Sequence, residues 1–208
     1  MIPFVTQILI GTASNLSADL IKGGSGWIAQ KVKGWLKGNN KNILDTTQKD
    51  LLDRGYEKPE DCRTPSEKFL VNFVESASLE DESELQELWG HMLANALDPN
   101  VDEKELRVAY MNMLRQMTSA DARLLNDFGK TRELNIDEYK RQHGLSDESF
   151  GVSLANLVRL GCVMQVMDQL PYEVGAGFSR RTVALPVPTN KYAKTFLGTS
   201  FLRACSPR

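Results

Sequence analysis

The 208-residue chain is long enough for one large domain or two small ones, and it can bury a core without metal or disulfide support. With 41% hydrophobic and 25% charged residues, its composition is that of an ordinary globular protein. The net charge of −2 divides into +3 for residues 1–56, −10 for residues 57–105 and +5 for residues 106–208, which excludes a uniformly basic surface for coating nucleic acid.

The chain opens with an apolar run from Met1 to Ile10. No Lys or Arg precedes this run, and polar residues such as Thr6 and Gln7 dilute it well below the length that spans a bilayer. We therefore expect neither a cleaved signal nor a spanning helix. The expected location is cytoplasmic, with a peripheral position at the inner face of the membrane as the alternative.

Residues 1–60 are predicted to form a cationic amphipathic helical region. An apolar stripe recurs at helical spacing through residues 27–36, and lysines border it. This composition is typical of helices that bind anionic membrane surfaces, so residues 1–41 are a candidate membrane contact. The same face would alternatively pack on the acidic middle of the chain or on a protein partner. The candidate contact residues are Trp27, Lys31, Lys33, Trp35 and Lys37.

Residues 61–130 are predicted to form a central helical bundle. The run Thr64-Pro65-Ser66-Glu67 predicts a helix start with Thr64 as the N-cap. Two apolar stripes with spacings of three and four follow, separated by a helix-stopping proline, and predict an antiparallel helix pair. Trp89 is expected to anchor the core, because an indole buries a large area. The stripes are Leu85, Leu88, Trp89, Met92, Leu93 and Ala96, then Leu106, Tyr110, Met113, Leu114 and Met117.

Residues 131–208 are predicted to form a mixed unit. A helix that ends at Gly161 precedes two strands, through residues 162–167 and 182–187, with a Pro/Gly loop between them. This order is that of a winged helix-turn-helix unit. The predicted fold class is therefore mainly α, with a helical bundle core and a C-terminal α+β winged-helix-like unit.

A winged-helix unit suggests contact with nucleic acid through the last helix and the hairpin loop. The candidate nucleic-acid contacts are Asn156, Arg159, Arg180 and Arg181. Against this function, the helix opens with Asp147 and Glu148, and no lysine lies between Arg141 and Lys191. Phosphate-neutralising charge is therefore sparse, and protein contact is the other use of such a unit.

The sequence lacks the familiar constellations of catalysis and cofactor binding. Its two histidines, His91 and His143, are far apart, and the glycine-rich residues 23–26 lack the lysine and serine that end a phosphate loop. Widely spaced cysteines predict reduced thiols rather than a zinc or redox motif: Cys62, Cys162 and Cys205. We predict that the protein is not an enzyme and uses no metal, cofactor or small-molecule substrate.

Several motifs occur together between residues 64 and 205. They are the pair Leu88-Trp89, the small residues Ala94 and Ala96, the pair Asp121-Ala122, a Leu-Gly step and a closing Phe-Leu-Gly-x-x-Phe run. This combination resembles the Abi-alpha family of bacterial proteins, which is named for abortive infection. The resemblance implies a role in phage defence in a bacterial cytoplasm, and it brings no catalytic residues.

Two functions are consistent with these patterns. The first is a non-enzymatic anti-phage protein that acts through protein or membrane contacts, with a protein partner or self-association. The alternative is a DNA-binding regulator that uses the winged-helix-like unit.

Overall fold

The computed structural model describes residues 4–19, 26–38, 40–144, 146–174 and 181–208. Within them the chain forms ten α-helices and one small antiparallel sheet, which confirms a mainly α fold with a C-terminal α+β part. The helices are α1 (Phe4–Asp19), α2 (Gly26–Leu36), α3 (Lys41–Asp53), α4 (Glu67–Ala77), α5 (Ser83–Leu97), α6 (Val108–Leu114), α7 (Ser119–Lys130), α8 (Ile136–His143), α9 (Asp147–Arg159) and α10 (Phe196–Ala204). The strands are β1 (Glu133–Asn135), β2 (Val163–Val174) and β3 (Arg181–Lys194).

The contacts divide the chain into two units. The helical unit comprises Met1–Ala122 together with Ser200–Arg208, and the mixed unit comprises Arg123–Thr199. Helices α7 and α10 each begin in one unit and end in the other. The helical unit therefore contains segments on both sides of the boundary predicted at residue 60.

An aromatic cluster fills the core of the helical unit. The ring of Phe73 on α4 meets Trp35 at 5.8 Å and Trp89 at 5.4 Å, both edge-on, and it stacks on Phe69 at 5.7 Å. Edge-on aromatic pairs stabilise a core beyond the area they bury. Trp89 is fully buried, so its predicted role as a core anchor is confirmed.

Helix α5 packs chiefly on α3, whereas α6 makes its main contacts with α4. Both apolar stripes are buried apart from the half-buried Leu88, but the predicted pairing of α5 with α6 is not the main packing. The reason lies at Gly90, where α3 approaches the backbone of α5 closely. The Thr47 hydroxyl donates to the Gly90 carbonyl at 3.0 Å, a contact that a larger residue at position 90 would disturb.

Helix α4 begins later than the sequence motif indicated. The N-cap is Ser66, whose Oγ accepts a hydrogen bond from the Phe69 backbone N–H at 3.3 Å, so the assignment of Thr64 as N-cap is wrong. Ser66 still has an extended backbone, with ψ of 152°, and the helical conformation starts at the next residue.

The mixed unit contains two elements that sequence periodicity did not predict, β1 and α8. The Asn135 side chain caps α8 by accepting from the backbone N–H groups of Asp137 and Glu138, and α8 ends at Gly144 with a left-handed φ of 61°. Helix α9 follows, capped by Ser146. The sheet order is β1-β3-β2, with both neighbouring pairs antiparallel.

One hydrogen bond and one ring contact of Tyr139 join α7, α8 and α9 in the mixed unit. The Tyr139 hydroxyl on α8 donates to Asp127 of α7 at 2.7 Å, and its ring lies 5.7 Å from the ring of Phe150 on α9. Burial, followed by the Asp127 carboxylate, raises the pKa of Tyr139, so this phenol remains a donor at neutral pH.

We expect Gly90→Ala to destabilise the helical unit by about 1–3 kcal/mol, because overpacking strains a close helix contact. The added Cβ would lie 2.6 Å from Cβ of Thr46 and 3.0 Å from the Ile43 carbonyl oxygen. Denaturant unfolding measures the effect. The matched control is Gly34→Ala on α2, where no atom lies within 4 Å, and it should leave stability unchanged or raise it. Equal effects of the two changes would contradict the close packing.

Candidate functional site

Exposed apolar side chains concentrate in the mixed unit. Of the ten large hydrophobic side chains that are exposed among the described residues, eight belong to this unit. They are Val152, Val158, Met164, Met167, Leu170, Leu185, Phe196 and Leu197. Concentrated exposed apolar surface is typical of interaction sites, so this surface is the candidate contact surface.

The hairpin of β2 and β3 carries four of these eight side chains. Leu170 pairs with Leu185 across the ladder, and their exposed fractions are 56% and 43%. Residues paired in an antiparallel ladder share a face, so these leucines form one apolar spot. Met167 opposes Pro188 on the other face. Both faces of the hairpin therefore offer apolar contact area.

Helix α9 contributes an exposed apolar edge to the candidate contact surface. Phe150 and Leu157 are buried in the unit, whereas Val152 is 68% exposed and Val158 is exposed as well. These valines stand where a soluble helix usually carries polar residues.

The four residues predicted to contact nucleic acid differ in exposure, and the structure describes the side chains of only two of them. Asn156 is half-buried and Arg159 is exposed, and the guanidinium of Arg159 donates to the Asn156 side-chain oxygen at 2.7 Å. Arg181 begins β3 opposite Val174, and its side chain lies outside the described part. Arg180 also lies outside the described residues.

Helix α2 turns its described apolar residues inward. Trp35 is only 4% exposed and packs on Phe73, so its indole contacts this unit's own core. Lys31 forms an ion pair with Glu75 of α4. This contact agrees with the alternative expectation, in which the helix packs on the acidic middle of the chain. Lys33 and Lys37 are exposed, and the side chain of Trp27 lies outside the described part. Because Trp35 is buried and Lys31 is paired, the predicted contact with a membrane or partner rests on the exposed Lys33 and Lys37.

A buried ion network that sequence reasoning missed joins α3 to the end of α5. The Arg54 guanidinium donates to both oxygens of Asp50, at 3.1 and 2.7 Å, and to Asp98 at 3.0 Å. The side chains of Arg54 and Asp50 are only 7% and 3% exposed. His91 Nδ1 lies 3.0 Å from Asp50, and the Tyr56 hydroxyl donates to Asp98 at 2.8 Å.

One part of this network was visible in the sequence. Asp50 and Arg54 have the i, i+4 spacing of a helical ion pair. The second carboxylate, that of Asp98, lies in the turn after α5, and no periodicity connects this turn to α3. Nothing in the spacing of His91 predicts its contact with Asp50, which comes from the packing of α5 on α3.

No described helix combines the length and the apolar character needed to cross a membrane. No group of three or more His, Cys, Asp or Glu side chains in the described ranges is arranged to hold a metal ion.

The helices and the sheet define a mainly α-helical protein with a C-terminal α+β unit. The model of the family described as abortive infection alpha matches residues 39–205, and the chain belongs to that family. The predicted resemblance is thus confirmed, and the match begins before residue 64, so it includes α3. No curated protein and no solved structure matches the chain significantly.

The C-terminal motifs of the resemblance have structural reasons. Gly161 follows α9 with a left-handed φ of 72°, which favours glycine. At Gly198 an added Cβ would overlap the carbonyl oxygen of Cys162, so only glycine fits this approach of α10. Phe201, the last residue of the motif, is fully buried, and its ring meets Tyr110 at 5.9 Å.

We expect Arg54→Met to lower the free energy of unfolding by about 3–5 kcal/mol, because it leaves two buried carboxylates without their cation. Denaturant unfolding of the full chain measures the change. The control is Lys41→Met, which removes the exposed pair with Asp45 on the same helix and should have almost no effect since solvent screens that pair. Similar losses in the two variants would contradict a special role of the network.

The stability of the helical unit should depend on Asp98 at acidic pH. Burial alone would raise the pKa of Asp98, but hydrogen bonds from Asn100, Tyr56 and Arg54 outweigh it and hold the pKa below its ordinary value. Ionised Asp98 therefore stabilises the fold above its unfolded pKa of about 3.9, and this contribution is lost as pH falls through the folded value. The free energy of unfolding of Asp98→Asn should change less with pH than that of wild type between about pH 5 and pH 2. Parallel curves of unfolding free energy against pH for the two proteins would exclude a contribution of ionised Asp98 to stability.

Proposed function

We propose that this protein acts in abortive infection as a non-enzymatic anti-phage protein, through protein contacts made by the candidate contact surface. Its family is named for abortive infection, which supports the biological setting. The observation that carries the mechanism is the exposed leucine pair Leu170 and Leu185. Removing such a leucine pair from water is favourable, and this stabilisation is available only when a partner covers the pair.

The first partner we propose is a second copy of the chain. Residues 163–188 carry Asp168, Glu173, Arg180 and Arg181, so this stretch has no net charge and two copies approach without net repulsion. A spot made of two leucines is also self-complementary, as an interface with twofold symmetry requires. Pro171 lies on the edge strand β2 and discourages strand addition there, which favours packing through the face of the hairpin.

The element order supports a winged-helix-type unit used for protein contact. Two short helices, α8 and α9, are joined near a left-handed glycine and followed by a long hairpin, as in winged helix-turn-helix units. The surface of α9 weighs against DNA binding. Exposed Val152 shares the helix face of the paired Asn156 and Arg159, and phosphate binding needs free cations rather than apolar side chains.

A direct test replaces the leucine pair by Leu170→Lys with Leu185→Glu. Opposite charges on paired positions preserve the hairpin, while they remove the apolar contact. We expect wild-type protein to dimerise and the double variant to dimerise at least tenfold more weakly, measured by light scattering over a range of concentrations. In cells challenged with a panel of phages, the variant should lose the protection that wild type gives.

The matched control is Leu79→Lys, which removes an exposed leucine from the helical unit and should change neither measurement. Wild-type protein that stays monomeric at high micromolar concentration would overturn the proposed self-association. Full protection by the double variant would overturn the role of this surface.

Two binding assays separate the alternatives. A low-salt gel shift with random duplex should show no retardation, and retardation that Arg180→Ala with Arg181→Ala abolishes would favour the DNA-binding regulator instead. The exposed Lys33 and Lys37 keep membrane contact as a second route. Co-sedimentation with anionic liposomes that is lost in Lys33→Glu with Lys37→Glu would favour that route.

A further inference from the structure

A pocket of about 310 Å³ in the helical unit lies between the residues before α6 and the end of α10. It is lined by Lys104, Glu105, Arg107, Tyr110, Ser200, Arg203 and Ala204. Its volume lies at the lower end of the range for small-molecule sites. None of these residues belongs to the candidate contact surface, so a ligand bound in the pocket would be separate from the proposed function.

Three cations of this pocket have side chains without a partner. Within the described part of the chain, Lys104, Arg107 and Arg203 make no side-chain hydrogen bond or ion pair, and all three are exposed. This contrasts with Arg54 and Arg63, whose guanidinium groups are bound to carboxylates or carbonyls. Unpaired cations that share one pocket repel each other, so an anion placed among them is stabilised by all three.

The carboxylate of the pocket is already engaged. Glu105 accepts a hydrogen bond from the Arg208 guanidinium at 2.7 Å, so its charge is compensated from the C-terminal end of the chain. Asp102 lies nearby in sequence, and its side chain accepts from the Lys104 backbone N–H at 2.9 Å. The lining therefore retains an excess of positive charge, in a segment of the sequence that is otherwise strongly acidic.

The remaining lining groups suit an oxyanion as well. The exposed Ser200 supplies a hydroxyl, and the Tyr110 ring is held edge-on against Phe201 at 5.9 Å. The position of α10 is fixed by Asn95, whose side-chain amide donates to the Ala204 carbonyl at 3.0 Å. Arg107 is the N-cap residue of α6 and Arg203 lies in the last turn of α10. Arginine and lysine are the donors that proteins use for phosphate, since the guanidinium matches two phosphate oxygens.

We propose that this pocket binds a small phosphate-bearing ligand. Three cations exceed what a single carboxylate needs, which favours a ligand with more than one negative charge. Arg107 and Arg203 would grip the phosphate from two sides of the pocket, and Lys104 adds a third positive charge.

Isothermal titration of the full chain at low salt tests the proposal with inorganic phosphate, inorganic pyrophosphate and a nucleoside diphosphate as probes. We expect at least one of these to bind, and we expect Arg107→Gln with Arg203→Gln to weaken the binding at least tenfold. Binding of pyrophosphate and the nucleoside diphosphate alike would assign the phosphates as the recognised group, and tighter binding of the nucleoside diphosphate would add a contact to its nucleoside. The conservative change Arg107→Lys with Arg203→Lys should retain part of the affinity.

The control is Lys68→Gln, which removes an exposed cation from α4 in the same unit and should leave the titration unchanged. Thermal melting of each variant checks the fold. The proposal is overturned if no probe binds, or if the double glutamine variant binds as well as wild type. It is also overturned if only random duplex DNA binds and the same double variant abolishes that binding, because the cations would then serve nucleic acid.

Discussion

The buried guanidinium of Arg54 is the interaction on which the helical unit depends. It lies between the carboxylates of Asp50 and Asp98, and Tyr56, His91 and the Asn100 backbone supply the remaining hydrogen bonds. A buried charge with one missing partner costs several kcal/mol. The end of α3, the residues after it and the turn after α5 must therefore form together. This requirement explains why α3 and α5 are main partners although a loop and α4 separate them in sequence.

The same region satisfies the carbonyl groups that end α5. The Arg63 side chain donates to the carbonyl of Ala96 and to that of Val101, and its backbone N–H donates to Leu97. On the same helix, buried Asn95 donates to the carbonyls of Ala204 and Ser206. A helix end needs such partners because its last carbonyls have none within the helix. The end of α5 thereby holds residues 204–206 in the helical unit, next to Arg203 of the pocket that Arg107 also lines.

The sequence predicted features that depend on local spacing, and it missed features that depend on distant partners. Apolar residues three and four apart gave the buried stripes and the position of Trp89, because helix geometry alone determines which of them share a face. The pairing of α3 with α5 could not be predicted this way, since it depends on the missing side chain of Gly90 and on an ion pair between residues 54 and 98. β1 and α8 are too short and too polar to produce a periodic apolar signal. Lys104 and Arg107 are close in sequence, but Arg203, which lines the same pocket, is separated from them by almost half of the chain.

The mixed unit combines a large exposed apolar surface with devices that limit how it is used. Pro171, Pro186 and Pro188 lie on the two strands of the hairpin, and each lacks the N–H that a neighbouring strand would accept. Addition of further strands along the hairpin is therefore disfavoured, and an edge of this kind does not grow into fibres. The leucine pair remains available through the face of the sheet, and the proposed twofold packing would bury it in a closed pair. The prolines thus make an exposed apolar hairpin compatible with limited association rather than open-ended strand addition.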